Sequence, residues 1–156
     1  MLRPVGHGDV RFLRDLLRHA YHWRLNEDPD LPVFRYVANW GRDGDAGVIA
    51  FDARGPYGAA WYRLFSEDEP GFGFVDEQTP ELTIAVVPSR RGQGVGAELL
   101  EALLAQAQRD GVAAVSLSAE KEQTAFYEHH GFVPVRDTGS AVTMRRPLES
   151  LKGTHE

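Results

Sequence analysis

The sequence predicts an α+β domain in which a mixed β-sheet is flanked by helices. Three observations carry that reading. Aliphatic and β-branched runs of strand length alternate with stretches whose apolar residues recur every three to four positions. Their order is β, α, a second short α, β, β, β, α, β, α, β, β, the order of a sheet covered by helices. The chain has 156 residues, 42% hydrophobic and 26% charged, ordinary figures for one globular domain with a real core. That domain is expected over residues 1–147, with residues 148–156 as a frayed C-terminal tail.

Taken in order, Leu2 to Val5 reads as a short first strand, and Gly6-His7-Gly8-Asp9 breaks it. Asp9 is placed to cap the next segment, where Val10, Leu13, Leu16, Leu17 and Ala20 give an amphipathic helix over Asp9–Ala20. Asn26 to Pro32 is polar, acidic and proline-broken, hence a loop, and Phe34, Tyr36, Val37 and Trp40 suggest a second short helix. Gly47–Phe51 and Tyr57–Phe65 read as an antiparallel strand pair around Asp52-Ala53-Arg54-Gly55-Pro56. Ser66–Pro80, rich in acid, glycine and aromatics, has the length and composition of a lid or binding loop. Leu82–Val87 is a buried strand ended by Pro88, which has no N–H for a ladder. From Gly94 the period becomes helical, with Val95, Leu99, Leu100, Leu103, Leu104 and Ala107 on one face and a stop at Gly111. Val112–Leu117 is another strand, Gln123–His129 a short helix ended by Gly131, and Phe132–Val135 with Ala141–Met144 a final strand pair.

The centre of this order is Glu81 to Gly96, where a strand, a basic turn of Ser89, Arg90 and Arg91, three alternating glycines and a helix start follow one another. A glycine turn at a helix N-terminus exposes backbone N–H groups at the positive end of the helix dipole, which makes an anion site that a phosphate can approach closely. No Gly-Lys-Ser/Thr closes a P-loop, and the spacing G-x-G-x-G fits the dinucleotide fingerprint poorly. The stretch instead resembles the pyrophosphate-binding motif Q/R-x-x-G-x-G/A of the GNAT family of N-acetyltransferases, met here by Arg91, Gly94 and Gly96. A second mark, Phe126-Tyr127-Glu128-His129-His130-Gly131-Phe132, resembles that family's F/L-Y-E-x-x-G-F piece, and the element order resembles the family's along nearly the whole chain.

The resemblance implies a GNAT-like acyl-CoA N-acyltransferase fold and an acetyl-CoA-dependent N-acetyltransferase acting on a primary amine in a direct ternary complex. It implies that Arg91, Gly92, Gln93, Gly94, Val95, Gly96 and Ala97 hold the pyrophosphate of coenzyme A. Ile84, Ala85 and Val86 would line the pantetheine arm through their backbone, where the central strand splays from its neighbour and its amides meet the oxyanion. By the same resemblance Tyr127 donates a proton to the departing thiolate, against the alternative of an aromatic packing beside Phe126 and Phe132. Glu81, first residue of the central strand, is either a general base working through water or a solvated edge glutamate. Asp76, Glu77 and His22 are rival bases, and Arg90 joins Arg91 as a candidate phosphate partner. The asparagine with which many relatives bond the pantetheine is absent from Ser118-Ala119-Glu120-Lys121-Glu122-Gln123. Tyr21, His22, Trp23, Trp40, Trp61, Tyr62, Phe72 and Phe74 are candidates to shape an acceptor pocket, with most of them expected in the core.

Composition narrows the rest. A net charge of −6 gives no support to nucleic-acid binding, and it suits a cationic amine substrate and plain solubility equally. With no cysteine, disulfides, thiolate metal sites and a cysteine acyl-enzyme are excluded. The six histidines show no metal-ligand spacing, so no metal is expected. No apolar signal core and no membrane-length run is present, and a cytoplasmic protein is expected. The resemblance implies a small-molecule or peptide amine as acceptor and is compatible with a homodimer. A coenzyme A-binding sensor without turnover is the competing reading, against which the intact Tyr127 and Glu81 count.

Overall fold

A three-leucine helical stripe sets the core of the first part of the molecule. The computed structural model describes residues 1–25 and 33–149, so the expected loop at 26–32 and most of the expected tail lie outside the described residues. The chain folds as two structural units, one of Met1–Tyr62 with Thr83–Ala105, the other of Arg63–Leu82 with the chain from Gln106 on.

In the first unit, β1 (Leu2–Pro4) pairs antiparallel with β2 (Ala46–Asp52), which pairs antiparallel with β3 (Gly55–Arg63). Helix α1 (Val10–Ala20) lays Leu13, Leu16 and Leu17 into this core at 0–1% exposure. Each contributes about 2 kcal/mol by leaving water. Tyr21, at the end of α1, is buried, and its hydroxyl shares a 3.0 Å hydrogen bond with that of Thr83. The Trp61 indole N–H donates to the Tyr36 carbonyl at 3.0 Å, which satisfies the one polar atom of another buried ring. Helix α2 is a single turn, His22–Leu25. The second helix expected around Phe34–Trp40 is a 3₁₀ turn at Val33–Tyr36. Its apolar residues are too few to sustain a helical face.

Asp9 departs from its expected role. It precedes α1 in a helical conformation and makes no side-chain cap there. Its carboxylate turns backward, accepting the Gly6 N–H at 2.8 Å and both Arg3 guanidinium nitrogens at 2.7 Å. Those bonds, the Arg3 pair first, hold its pKa below the ordinary carboxylate value.

Strand β4 (Glu81–Val86) begins in the second unit and ends in the first. Helix α3 (Val95–Arg109) follows it, burying Leu99, Leu100 and Leu103 completely. In the second unit β4 meets β5 (Ala114–Glu120) in parallel at Glu81↔Ser116. α4 (Thr124–His129) leads to β6 (Val133–Asp137) and β7 (Ala141–Pro147); β5 and β6 each pair antiparallel with β7. The seven described strands thus form a mixed sheet in the order β1-β2-β3-β4-β5-β7-β6. β6 is its exposed edge, with a register irregularity between Pro134 and Arg136 and no buried residue.

Candidate active site

β4 ends at Val86, Pro88–Arg90 make a 3₁₀ turn with proline at its start, and α3 starts at Val95. Gly92 and Gly94 stand at φ +78° and +79°, a conformation that glycine reaches without steric cost. A Cβ added at Gly92, Gly94 or Gly96 would meet nothing within 4 Å, so the backbone here is uncovered. Glu98 is the first α3 residue seen to bond back, to the Gly94 carbonyl at 3.1 Å. The N–H groups of Val95, Gly96 and Ala97 belong to the helix's first turn, which has no carbonyl within the helix to bond. The result is open space, a row of donors and a helix dipole, which fits the pyrophosphate of coenzyme A.

Around the turn, Arg91 is exposed and its Nε donates to the Val86 carbonyl at 3.2 Å, bracing the turn on the strand it leaves. Arg90 is engaged elsewhere. It forms an ion pair with Asp52 and lies over the Tyr57 ring at 4.3 Å. On β4, Ala85 is buried and Ile84 and Val86 half-buried. All ten expected cofactor-contact residues therefore fall in the first unit.

Glu81 and Tyr127 fall in the second. Glu81 is 1% exposed, which rules out the solvated edge glutamate. Of the rival bases, Asp76, Glu77 and His22 are all exposed. Asp76 is also a weakened base, because its hydrogen bond from Thr79, followed by backbone donors and Arg145, holds its pKa low. Tyr127 is half-buried, set edge-on to Phe132 with centroids 5.7 Å apart and to Phe126 at 5.1 Å. Its carbonyl accepts the Phe132 N–H at 3.0 Å across the left-handed Gly131. That bond fixes where the short helix stops and so how the ring is presented. Burial raises its phenol above the ordinary value of 10, so it stays protonated across the neutral range.

The acceptor-side aromatics divide by burial. Tyr21, Trp61 and Tyr62 are at most 3% exposed and belong to the core. Trp23, Trp40, Phe72 and Phe74 are half-buried. The loop expected to be a lid is held down in the second unit. Gly73 lies so close to Leu117 that a Cβ there would sit 2.4 Å from the Leu117 carbonyl carbon, and Arg136 donates to the Phe74 carbonyl at 2.7 Å. Pattern reading also overlooks Ser116 and Thr143, buried polar residues on β5 and β7. Each looks in sequence like an interruption of an apolar strand. Among the described residues no His/Asp/Glu group could hold a metal ion, and no helix is long and apolar enough to cross a membrane.

The family model described as acetyltransferase (GNAT) domain matches residues 43–134. No curated protein matched in sequence. Among solved structures, the PaiA N-acetyltransferase of Thermoplasma acidophilum in complex with coenzyme A is 14% identical, with TM-score 0.67 over 94% of this chain and 98% of that one. The ribosomal-protein-alanine N-acetyltransferase of Brucella melitensis is 18% identical, TM-score 0.63, over 95% and 99%. The GNAT domain of S. lividans PAT is 17% identical, TM-score 0.68, over 94% and 89%. At these identities the likeness is one of fold.

Proposed function

Since this chain belongs to the acetyltransferase (GNAT) family, we propose that it transfers the acetyl group of acetyl-CoA directly to a primary amine within a ternary complex. The observation that carries this reading is the uncovered glycine turn at the start of α3. Glycine in a helix costs up to about 1 kcal/mol relative to alanine. At Gly96 neither a positive φ nor a crowding neighbour requires it. A ligand approaching from outside does.

In this reading the amine arrives as an ammonium and Glu81 takes one of its protons, directly or through water. The neutral nitrogen attacks the thioester carbonyl, and β4 amides near Ile84–Val86 receive the developing oxyanion. The C–S bond breaks, Tyr127 supplies a proton to the thiolate, and the nitrogen's second proton restores the phenol. The overall yield is an amide, coenzyme A and one proton. The half-buried Trp23, Trp40, Phe72 and Phe74 are the aromatics left to contact an acceptor. The solved relatives named above include one whose name specifies a ribosomal-protein alanine, and their differing names leave the acceptor class to experiment.

The test is a thermal-shift titration with acetyl-CoA, coenzyme A, ATP and NAD. A ligand that binds only the native state, at 100 times its Kd, stabilises it by about 2.7 kcal/mol. A shift with the two coenzyme A forms alone is expected, followed by thiol release with a member of an amine panel. No shift with either form would overturn the assignment. A shift without turnover of any amine would favour the coenzyme A sensor.

A further inference from the structure

Glu81 is 1% exposed, so a proton it accepts needs a way out. The register of the second unit supplies a route. Paired residues on neighbouring strands face the same side of a sheet, as do residues two apart on one strand. Glu81 pairs with Ser116, Ser116 with Arg145, and Thr143 stands two residues from Arg145. Thr143 in turn pairs with Arg136 on β6. Glu81, Ser116, Thr143 and Arg136 therefore share one face across four successive strands, running from a buried carboxylate to the exposed edge. At a strand spacing of about 4.8 Å the row covers roughly 14 Å.

Ser116 and Thr143 are 0% and 1% exposed, and neither Ser116 Oγ nor Thr143 Oγ1 has a hydrogen-bond partner among the described residues. A buried hydroxyl left without a partner is costly, and native structures fill such places with water that makes two to four hydrogen bonds. The two residues sit on adjacent strands, diagonal to one another, a separation of about 7 Å between backbones that one water can span. The loop lies against these strands: Gly73 sits on the β5 backbone at Leu117, and Arg136 donates to the Phe74 carbonyl at 2.7 Å. Charged groups near the row include Arg145 and Glu120 on the same strand faces, Asp76 on the loop, and Arg136 at its outer end, and Arg63 is a further buried charge of the same unit.

We propose that Ser116 and Thr143 hold an internal water beneath this loop, and that this water and the two hydroxyls relay the proton from Glu81 towards solvent at the β6 edge, past the Arg136 guanidinium, which has no acceptor and takes no proton. Glu81 carboxylic acid gives its proton to the relay, each hydroxyl or water accepts one proton while donating another, and the carboxylate is restored. Ser116 and Thr143 are thus positioning residues for Glu81, and the relay rests on the reading of Glu81 as the base.

The test has two arms. In the first, melting temperatures are compared for Ser116→Ala and the near-isosteric Thr143→Val. Removing a hydroxyl that holds a water lowers the melting temperature, and Thr143→Ser restores it. A rise or no change means the hydroxyls hold nothing and overturns the proposal. This arm needs no acceptor. In the second, steady-state rates are measured with an amine that the panel shows to be turned over. Ser116→Ala and Thr143→Val each lower kcat about tenfold, a fraction of the 10²–10⁴ that a whole proton-transfer group contributes, with KM for acetyl-CoA unchanged. In a Glu81→Gln background Ser116→Ala costs nothing further, because the two act through one group. Additive losses, or wild-type kcat in the single variants, overturn the relay while the base reading stands. A Glu81→Gln protein at wild-type rate overturns the base reading and the relay with it.

Discussion

At the scale of single residues, the two family marks make opposite demands on the chain. Gly96 is a position of omission. Leucine there has better helix propensity and open space around it. Gly96→Leu is therefore expected to raise the melting temperature slightly while raising KM for acetyl-CoA at least tenfold, about 1.4 kcal/mol of binding. A stable variant with unchanged KM would show that the open backbone is not a ligand site. In the proposed mechanism Tyr127 is a position of supply. Tyr127→Phe keeps the ring contacts with Phe126 and Phe132 and removes only the acid, so kcat falls about 10²–10⁴-fold with KM for acetyl-CoA unchanged. In that role the phenol acts in its protonated form, and its pKa is raised. Its activity is present below that pKa and lost only above it, so the kcat–pH profile shows no alkaline decline from Tyr127 below about pH 10. A decline with an apparent pKa near 9 that Tyr127→Phe abolished would contradict this.

At the scale of elements, short-range pattern and long-range contact account for different parts of the structure. The leucine spacing of α1 and the β4–glycine–α3 succession were legible because each is decided by residues a few positions apart. The backward turn of Asp9 was not, since it depends on Arg3 reaching the same carboxylate. That pair gives a pH signature. Asp9's folded pKa is depressed, so its contribution is present above the unfolded value near 3.8 and lost as pH falls through the folded one. Arg3 is 40% exposed, which discounts the pair to about 1 kcal/mol. Urea midpoints should place Asp9→Asn below wild type at pH 7, with the gap closing as pH falls from about 5 towards 2. Gly73 is the other element-level constraint that sequence hides, because its neighbour Leu117 is 44 positions away. Gly73→Ala drives a methyl into backbone that cannot yield, costing about 1–3 kcal/mol. Limited proteolysis should then cut within Ser66–Pro80, and an uncut loop would show that it is not anchored there.

At the scale of the whole molecule, the α+β order and seven-strand sheet follow from strand and helix periods together with the family marks. The division of labour along the chain does not. Ten candidate cofactor contacts lie in one unit and the two proton-handling candidates in the other, with β4 belonging to both. Polar residues buried on a sheet face, Glu81, Ser116 and Thr143, escape pattern reading because the same letters on a solvated face look identical. The exposed edge at β6 has a further consequence, in colloidal behaviour. Val133 and Val135 stand 53% and 46% exposed on a strand with no partner on its outer side among the described strands, an invitation for a second chain to add itself. Pro134, the irregularity beside it, and Arg136-Asp137 interrupt that template. Replacing Pro134 with valine would leave Val-Val-Val with only Arg136-Asp137 to guard it. Light scattering on warming should then show clouding below the temperature at which the native protein unfolds, so the guard at β6 governs how concentrated this protein can be kept.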